Sequence, residues 1–309
     1  MAGAESRRVT GAGGVPIAVH RLGGGSAAGD GPPVIVVHAT GFHGRCYSRM
    51  AQSLTGRFTV WAVDQRGHGA SGKAPDGRYD DWNRFGEDLL HVIDALEPGA
   101  PWGGFGHSLG GAVVLTAEAL RPGTFSSLCC YEPVVFPPDW LPPSGEPAHS
   151  GSHPVPLAVL ARKRRPSFAS RRAALDNYRS KPPFAAFDPA ALEDYVEGGF
   201  VDTPDGTVTL ACAREDEAAV FESAPASRTW DLLADVRPPV AVLAGGDQAD
   251  PVGRVADPVA RRLPRGDLQR FASLDHFGPM TGPDQVGAVV AVALGADPDR
   301  STIGVTSPG

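Results

Sequence analysis

The sequence predicts an α/β fold: a mostly parallel central sheet with helices on both faces and an inserted helical lid. Three observations lead there. Short apolar runs such as "VIVVH" and "FTVWAVD" are bounded by turn residues, as strands buried on both faces require. These runs take turns with segments whose apolar residues recur at helical spacing, the pattern of parallel strands joined by crossover helices. After Glu132 a stretch rich in proline, glycine and serine breaks the pattern, a polar-faced helical stretch follows, and strands then resume.

Taken in order, "GVPIAVHRL" alternates with period two and reads as a half-exposed strand, and "GGGSAAGDGPP" is a loop. "VIVVH" is a buried strand, "YSRMAQSL" a short helix, "FTVWAVD" a strand and "DDWNRFGEDLLHVIDAL" an amphipathic helix. A strand ending before Ser108, the helix "GGAVVLTAEAL" and the strand "FSSLCCYE" complete the first half. "PVVFPPDWLPPSGEPAHSGSHPVP" is a linker into the lid, whose helices are "LAVLARKRR", "SRRAALDNYRS", "PAALEDYVEGGF" and "REDEAAVFESA". The sheet resumes at "PPVAVLAGGD", followed by a helix around "GRVADPVARRL", a strand "LQRFASL" and a last helix "PDQVGAVVAVAL". The expected division is 1–133 core, 134–231 lid, 232–294 core again, and 295–309 a frayed tail.

The bulk properties bound the function. With 309 residues, 42% hydrophobic and 20% charged, the chain can bury one large core with an inserted piece. A net charge of −7 argues against a duplex-binding surface, which would have to release counterions from phosphates. The cysteines Cys46, Cys129, Cys130 and Cys212 form neither a disulfide framework nor a zinc-binding pair, so a reducing compartment is expected and no metal or cofactor. No leader-type apolar region or bilayer-length run occurs, and the expectation is a soluble, cytoplasmic protein whose partner is a small molecule.

The chemistry centres on "GHSLG", residues 106–110, at the junction of a strand and a helix. So abrupt a turn strains its central residue and lifts that side chain above the sheet edge, while glycines two places away avoid collision. A serine hydroxyl needs a base, and His276 in "ASLDHFGPM" follows a late strand. The base in turn needs a carboxylate to fix its tautomer. Asp250, after the strand "VAVLA", and Glu132, at the end of "FSSLCCYE", both stand where they could reach it; Asp247 and Asp275 are weaker choices. The oxyanion requires amides: that of Leu109, after the nucleophile, and one from "ATGFHG", with Phe42 the choice and Gly41 the runner-up.

Together these pieces resemble the α/β-hydrolase superfamily: "HATGF", "DQRGHGAS", "GHSLGG", "GGDQADP" and "DHFGPM", over roughly residues 15–133 and 232–294. The resemblance implies the α/β-hydrolase fold, with helices on both faces of the sheet, and favours Asp250 over Glu132 as the acid. It also implies that Asp64 to Ser71 build a structural turn and that His107 points away from the pocket. Two departures stand out. The usual His-Gly pair is spread into His38-Ala39-Thr40-Gly41, and the strand "PWGGFG" carries more glycine than a buried strand prefers, leaving room for substrate or for a neighbouring helix.

A serine at the elbow favours acyl chemistry over epoxide opening or halide displacement, which use a carboxylate nucleophile. The expected activity is cofactor-independent hydrolysis of a carboxylic ester or lactone of a medium-sized, mostly apolar molecule. Carbon–carbon bond hydrolysis, acyl transfer and peracid formation use the same triad, and a receptor role is the reading from another class. The basic run Arg162–Arg172 with Arg179 and Lys181 reads as a solvated helix face rather than an anion gate, and the lid aromatics Phe168, Tyr178, Phe184, Phe187, Phe200, Phe221 and Trp230 read mainly as lid core.

Overall fold

The computed structural model describes residues 5–23, 31–97, 99–140, 155–246 and 251–295. Its strands are β1 (Ser6–Thr10), β2 (Pro16–Gly23), β3 (Pro33–Val37), β4 (Thr59–Val63), β5 (Trp102–His107), β6 (Phe125–Tyr131), β7 (Ser167–Phe168), β8 (Phe200–Asp202), β9 (Val208–Leu210), β10 (Val240–Gly245) and β11 (Gly266–Phe271). The helices are α1 (Ser48–Ala51), α2 (Asn83–Leu96), α3 (Leu109–Leu120), α4 (Pro156–Lys163), α5 (Arg171–Arg179), α6 (Pro189–Gly199), α7 (Arg214–Ser223), α8 (Thr229–Leu232), α9 (Pro251–Arg262), α10 (Gly278–Thr281) and α11 (Pro283–Leu294).

Eight strands form one sheet in the order β1-β2-β4-β3-β5-β6-β10-β11. From β4 to β11 every pairing is parallel; only β1 with β2 and β2 with β4 run antiparallel. The continuously apolar strands lie in the middle, where β3 and β4 are buried at every residue. One face packs on α2, α3 and α9 through Leu89, Val113 and Val255, and the other on α1 and α11 through Met50, Val286 and Val290.

The glycines of β5 make room for packing. A Cβ on Gly104 would lie 2.6 Å from Leu128 and 2.9 Å from Phe125, and one on Gly103 3.0 Å from Val34 and 3.5 Å from Leu294. The space thus belongs to β6, β3 and the last helix, not to a ligand.

Between β6 and β10 the chain leaves the sheet and forms α4 to α8; α4 to α7 lie near their expected segments, and the short α8 was not expected. The insertion is not purely helical, because β7, β9 and β8 make a small antiparallel sheet. Those strands are two or three residues long, too short to display a period. Strand β1 was likewise not expected: "SRRVT" is exposed along most of its length and pairs at the sheet edge, so burial left little mark on it.

The basic run is a scaffold within the insertion. Arg162 pairs with Glu215 and Glu222, Arg171 with Asp202 and Glu197, and Arg172 and Arg179 with Asp176. Arg165 lies over the Phe168 ring at 4.4 Å. Arg164 differs from its neighbours: largely buried, it bonds Glu217 and the hydroxyls of Tyr178 and Tyr195.

Strand register prepares the site. His107, Tyr131 and Leu243 lie side by side on β5, β6 and β10. The next residues along the first two strands are Ser108 and Glu132, so the sheet delivers both to the same edge.

Candidate active site

Ser108 sits at φ 56° and ψ −117°, a conformation that costs a non-glycine residue free energy and here forms the sharp turn from β5 into α3. A Cβ on Gly106 would lie 2.3 Å from the Gly110 carbonyl oxygen, and one on Gly110 2.1 Å from that of Val37. Both glycines are thus required by backbone contact, as the motif spacing implied. The turn is fastened on both sides: the Ser108 amide donates to Tyr131 O at 2.9 Å, and its carbonyl accepts from the Gly111 and Val134 amides at 3.0 and 3.1 Å. Leu109 opens α3, where the helix supplies its amide no acceptor and the helix dipole favours negative charge.

His276 lies between β11 and α10. Its Nδ1 is 2.6 Å from Glu132 Oε2, and the other carboxylate oxygen accepts the Gly245 amide at 2.7 Å. Glu132 is 1% exposed. The carboxylate held on His276 is therefore the runner-up of the sequence reading; the favoured Asp250, with Asp247, lies outside the described residues. Asp275 is occupied otherwise, its Oδ1 accepting the Phe277 amide at 2.9 Å.

The loop around His276 is gripped from the strand ends. Tyr131 Oη donates to the Asp275 carbonyl at 2.7 Å, and His107 Nε2 lies 2.8 Å from the His276 carbonyl. His107 is buried, with its ring 4.9 Å from that of His276. The following serine takes the tip of the turn, while the histidine packs beneath it against the loop that carries His276.

The loop expected to supply the second oxyanion amide also differs in detail. The Phe42 amide donates to Ala39 O at 3.1 Å, and Gly41 has the positive φ, 79°, that the third residue of a type II turn needs. Phe42's N–H is committed within that turn and is not the free donor expected. A turn of this kind leaves its two central amides, here Thr40 and Gly41, without an internal acceptor. The Phe42 ring contacts the rings of Phe277 and Phe187, each at 6.3 Å between centroids, and those two lie 5.7 Å apart. An aromatic triangle thus joins the turn at Ala39–Phe42, the His276 loop and the insertion.

The segment from Asp64 to Ser71 is structural, as expected. Asp64 accepts from His20 at 2.9 Å and from the amides of Gly44 and Ala70 at 2.7 and 2.8 Å. Burial alone would raise its carboxyl, but the bond and charge of His20 prevail and hold it well below the usual carboxylate range. Arg66 forks onto buried Asp88, at 2.7 and 2.8 Å, and His68 bonds the Arg66 carbonyl at 3.0 Å.

Among the described residues no group of histidine, cysteine, aspartate and glutamate is arranged to hold a metal, and no helix is long and apolar enough to cross a membrane. The four cysteines are buried free thiols.

Residues 34–289 match the model of the alpha/beta hydrolase family. The chain belongs to that family. It is 34% identical over 107 residues to the monoglyceride lipase of Homo sapiens, covering 33% of this chain and 35% of that one. To the pimeloyl-[acyl-carrier protein] methyl ester esterase of Chromobacterium violaceum it is 36% identical over 100 residues, 32% of this chain and 36% of the esterase. These alignments thus span about a third of each relative. Among solved structures, E-2-(acetamidomethylene)succinate hydrolase superposes with a TM-score of 0.75 at 22% identity, covering 95% of this chain and all of that one. This alpha/beta hydrolase is therefore related to esterases and lipases over part of its length and shares its fold with other hydrolases over nearly all of it.

Proposed function

We propose that the chain is a serine hydrolase of carboxylic esters or lactones, with Ser108 as nucleophile, His276 as general base and acid, and Glu132 as the residue that orients it. One observation carries the reading: a buried carboxylate bonds Nδ1 of a histidine whose loop is tied to the residue preceding a strained serine. With Nδ1–H donated to Glu132, Nε2 is the nitrogen left to take a proton.

The Ser108 oxygen adds to the ester carbonyl as its proton passes to His276 Nε2. Charge develops on the carbonyl oxygen, where the Leu109 amide and one of the turn amides, Thr40 or Gly41, stabilise it. The imidazolium is stabilised by Glu132 and gives its proton to the departing alkoxide, leaving an acyl-serine. Water, deprotonated by His276, then releases the acid and regenerates Ser108. The Phe42–Phe187–Phe277 triangle supports a mostly apolar acyl group, and the insertion acts as a lid that keeps bulk water from the intermediate.

Labelling with a fluorophosphonate, followed by peptide mass spectrometry, tests this reading. Stoichiometric modification of Ser108, absent from Ser108→Ala, is expected, together with turnover of p-nitrophenyl esters. A folded protein that neither labels nor turns over such esters would refute it and favour a binding role.

A further inference from the structure

His107 stands one residue before the nucleophile and bonds neither Ser108 nor Glu132. Its Nε2 is 2.8 Å from the His276 carbonyl oxygen and its Nδ1 2.8 Å from Tyr47 Oη, which in turn lies 3.1 Å from the Ala39 amide nitrogen. A carbonyl can only accept, so the His107 proton resides on Nε2. The neutral ring then accepts at Nδ1, Tyr47 donates to it, and the Tyr47 oxygen is left to accept the Ala39 N–H. One arrangement of protons satisfies all three bonds, running from the first residue of the oxyanion turn to the backbone of the base. Burial first, then the charge of neighbouring His276, lowers the proton affinity of His107 well below that of an ordinary histidine, in keeping with a neutral ring.

We propose that His107, acting through Tyr47, is a positioning residue that sets the distance between the oxyanion turn and the loop of the general base. As the tetrahedral intermediate forms, negative charge develops on the substrate oxygen held against the first segment and positive charge on the His276 ring of the second. A displacement of about 1 Å between such groups costs roughly 100-fold in rate. The geometry explains why a polar ring occupies the end of a buried strand: a hydrophobic side chain there would leave the Tyr47 hydroxyl without its acceptor and the His276 carbonyl without its donor.

The kinetic arm of the test rests on the serine-hydrolase reading; a spectroscopic arm does not. Full-length wild type, His107→Ala, His107→Gln and Tyr47→Phe are compared on a p-nitrophenyl ester. One-dimensional proton NMR records the far-downfield resonance expected of His276 Nδ1–H in its short bond to Glu132. In His107→Ala, kcat should fall about 30- to 100-fold with KM little changed, whereas His107→Gln, whose amide N–H can reach the same carbonyl, should recover most of the rate. The resonance should broaden in His107→Ala and Tyr47→Phe and stay sharp in His107→Gln. Unchanged kcat and an unchanged resonance in folded His107→Ala would overturn the proposal, as would lowered thermal stability with kcat intact. If His107→Ala fails to fold, Tyr47→Phe decides, since it removes only a hydroxyl. If wild type neither labels nor turns over, the serine-hydrolase reading falls and the resonance comparison still judges the role of His107.

Discussion

Glu132→Gln tests the proposed triad at the member for which the sequence offers two candidates. In the structure Oε1 takes the Gly245 amide and Oε2 faces His276 Nδ1. A glutamine keeps the first bond only by placing its carbonyl oxygen there, which turns its amide group toward Nδ1. Two donors cannot face each other, so the imidazole must take the other tautomer, with the proton on Nε2, and that nitrogen can no longer accept the serine proton. The loss is one of catalysis, not of fold, because shape is preserved. A tautomer-trapping substitution of this kind costs about 10⁴-fold in kcat, which is about 5 kcal/mol of barrier. Initial rates on a p-nitrophenyl ester and the rate of fluorophosphonate labelling measure it, with thermal unfolding as control for folding. Asp250→Asn is run beside it and should stay within a few-fold of wild type. Collapse in Asp250→Asn with near-normal rates in Glu132→Gln would refute the reasoning.

Three further outcomes are expected. Gly106→Ala should lower stability by about 3 kcal/mol or more, since its methyl would meet Gly110 backbone atoms at 2.3 and 2.5 Å, and urea unfolding measures the loss. Arg164→Met should cost about 3–5 kcal/mol by stranding buried Glu217 and two tyrosine hydroxyls, while Arg164→Met with Glu217→Leu should recover much of it in thermal unfolding. Stability should also fall on acidification. Burial lowers the pKa of His43, His68 and His107 and takes that of His38 to about 3, so below pH 6.5 the unfolded chain binds protons that the native state refuses. Each such histidine contributes a slope of up to about 1.4 kcal/mol per pH unit, present until the pH reaches its folded value. Asp194, raised to about 6 by burial and then by Glu193, opposes the trend by losing stability as pH rises. Urea midpoints that stay level or rise between pH 7 and pH 5 would refute this balance.

How much of this was legible depended on whether burial left a periodic mark. The central strands and the crossover helices did so, because a segment covered on both faces must be apolar throughout and one covered on a single face must be apolar at helical spacing. The elbow was legible for a steric reason, since Gly106 and Gly110 fill positions that backbone contact forbids to any other residue. Strand β1 and the small sheet of the insertion were not, being short or exposed. Two features of the site also escaped. Phe42 stood at the right point in the loop, but which amide a turn consumes depends on backbone angles that residue type does not specify, beyond the glycine at its third position. His107 carried a signal, a polar ring closing a buried strand, yet nothing local named its partners, Tyr47 and His276, which lie 60 and 169 residues away.

The two carboxylates were hard to separate because β6 and β10 are adjacent, so an acid at the end of either strand starts about 4.8 Å from the other's line. What distinguishes them is the loop of the base itself. It is a short turn, closed by the Gly278 amide on the Asp275 carbonyl, that belongs to no helix or strand at Asp275 and His276, and bonds from the strand ends fix it on the sheet. Strand β6 fixes it twice, through Tyr131 on the Asp275 carbonyl and through the next residue, Glu132, on the His276 ring. Strand β5 adds the His107 bond to the His276 carbonyl and then turns directly into Ser108, the proposed nucleophile. Consecutive residues at the ends of two neighbouring strands thus hold consecutive residues of the loop, and the register between β5 and β6 relates Ser108, His276 and Glu132, with the Gly245 amide of β10 holding the second Glu132 oxygen. An acid on β10 would orient the ring from a strand that carries neither the Tyr131 restraint nor the serine. The relation of acid to nucleophile would then pass through a second strand pairing, and any slip in that pairing would reach the reacting atoms.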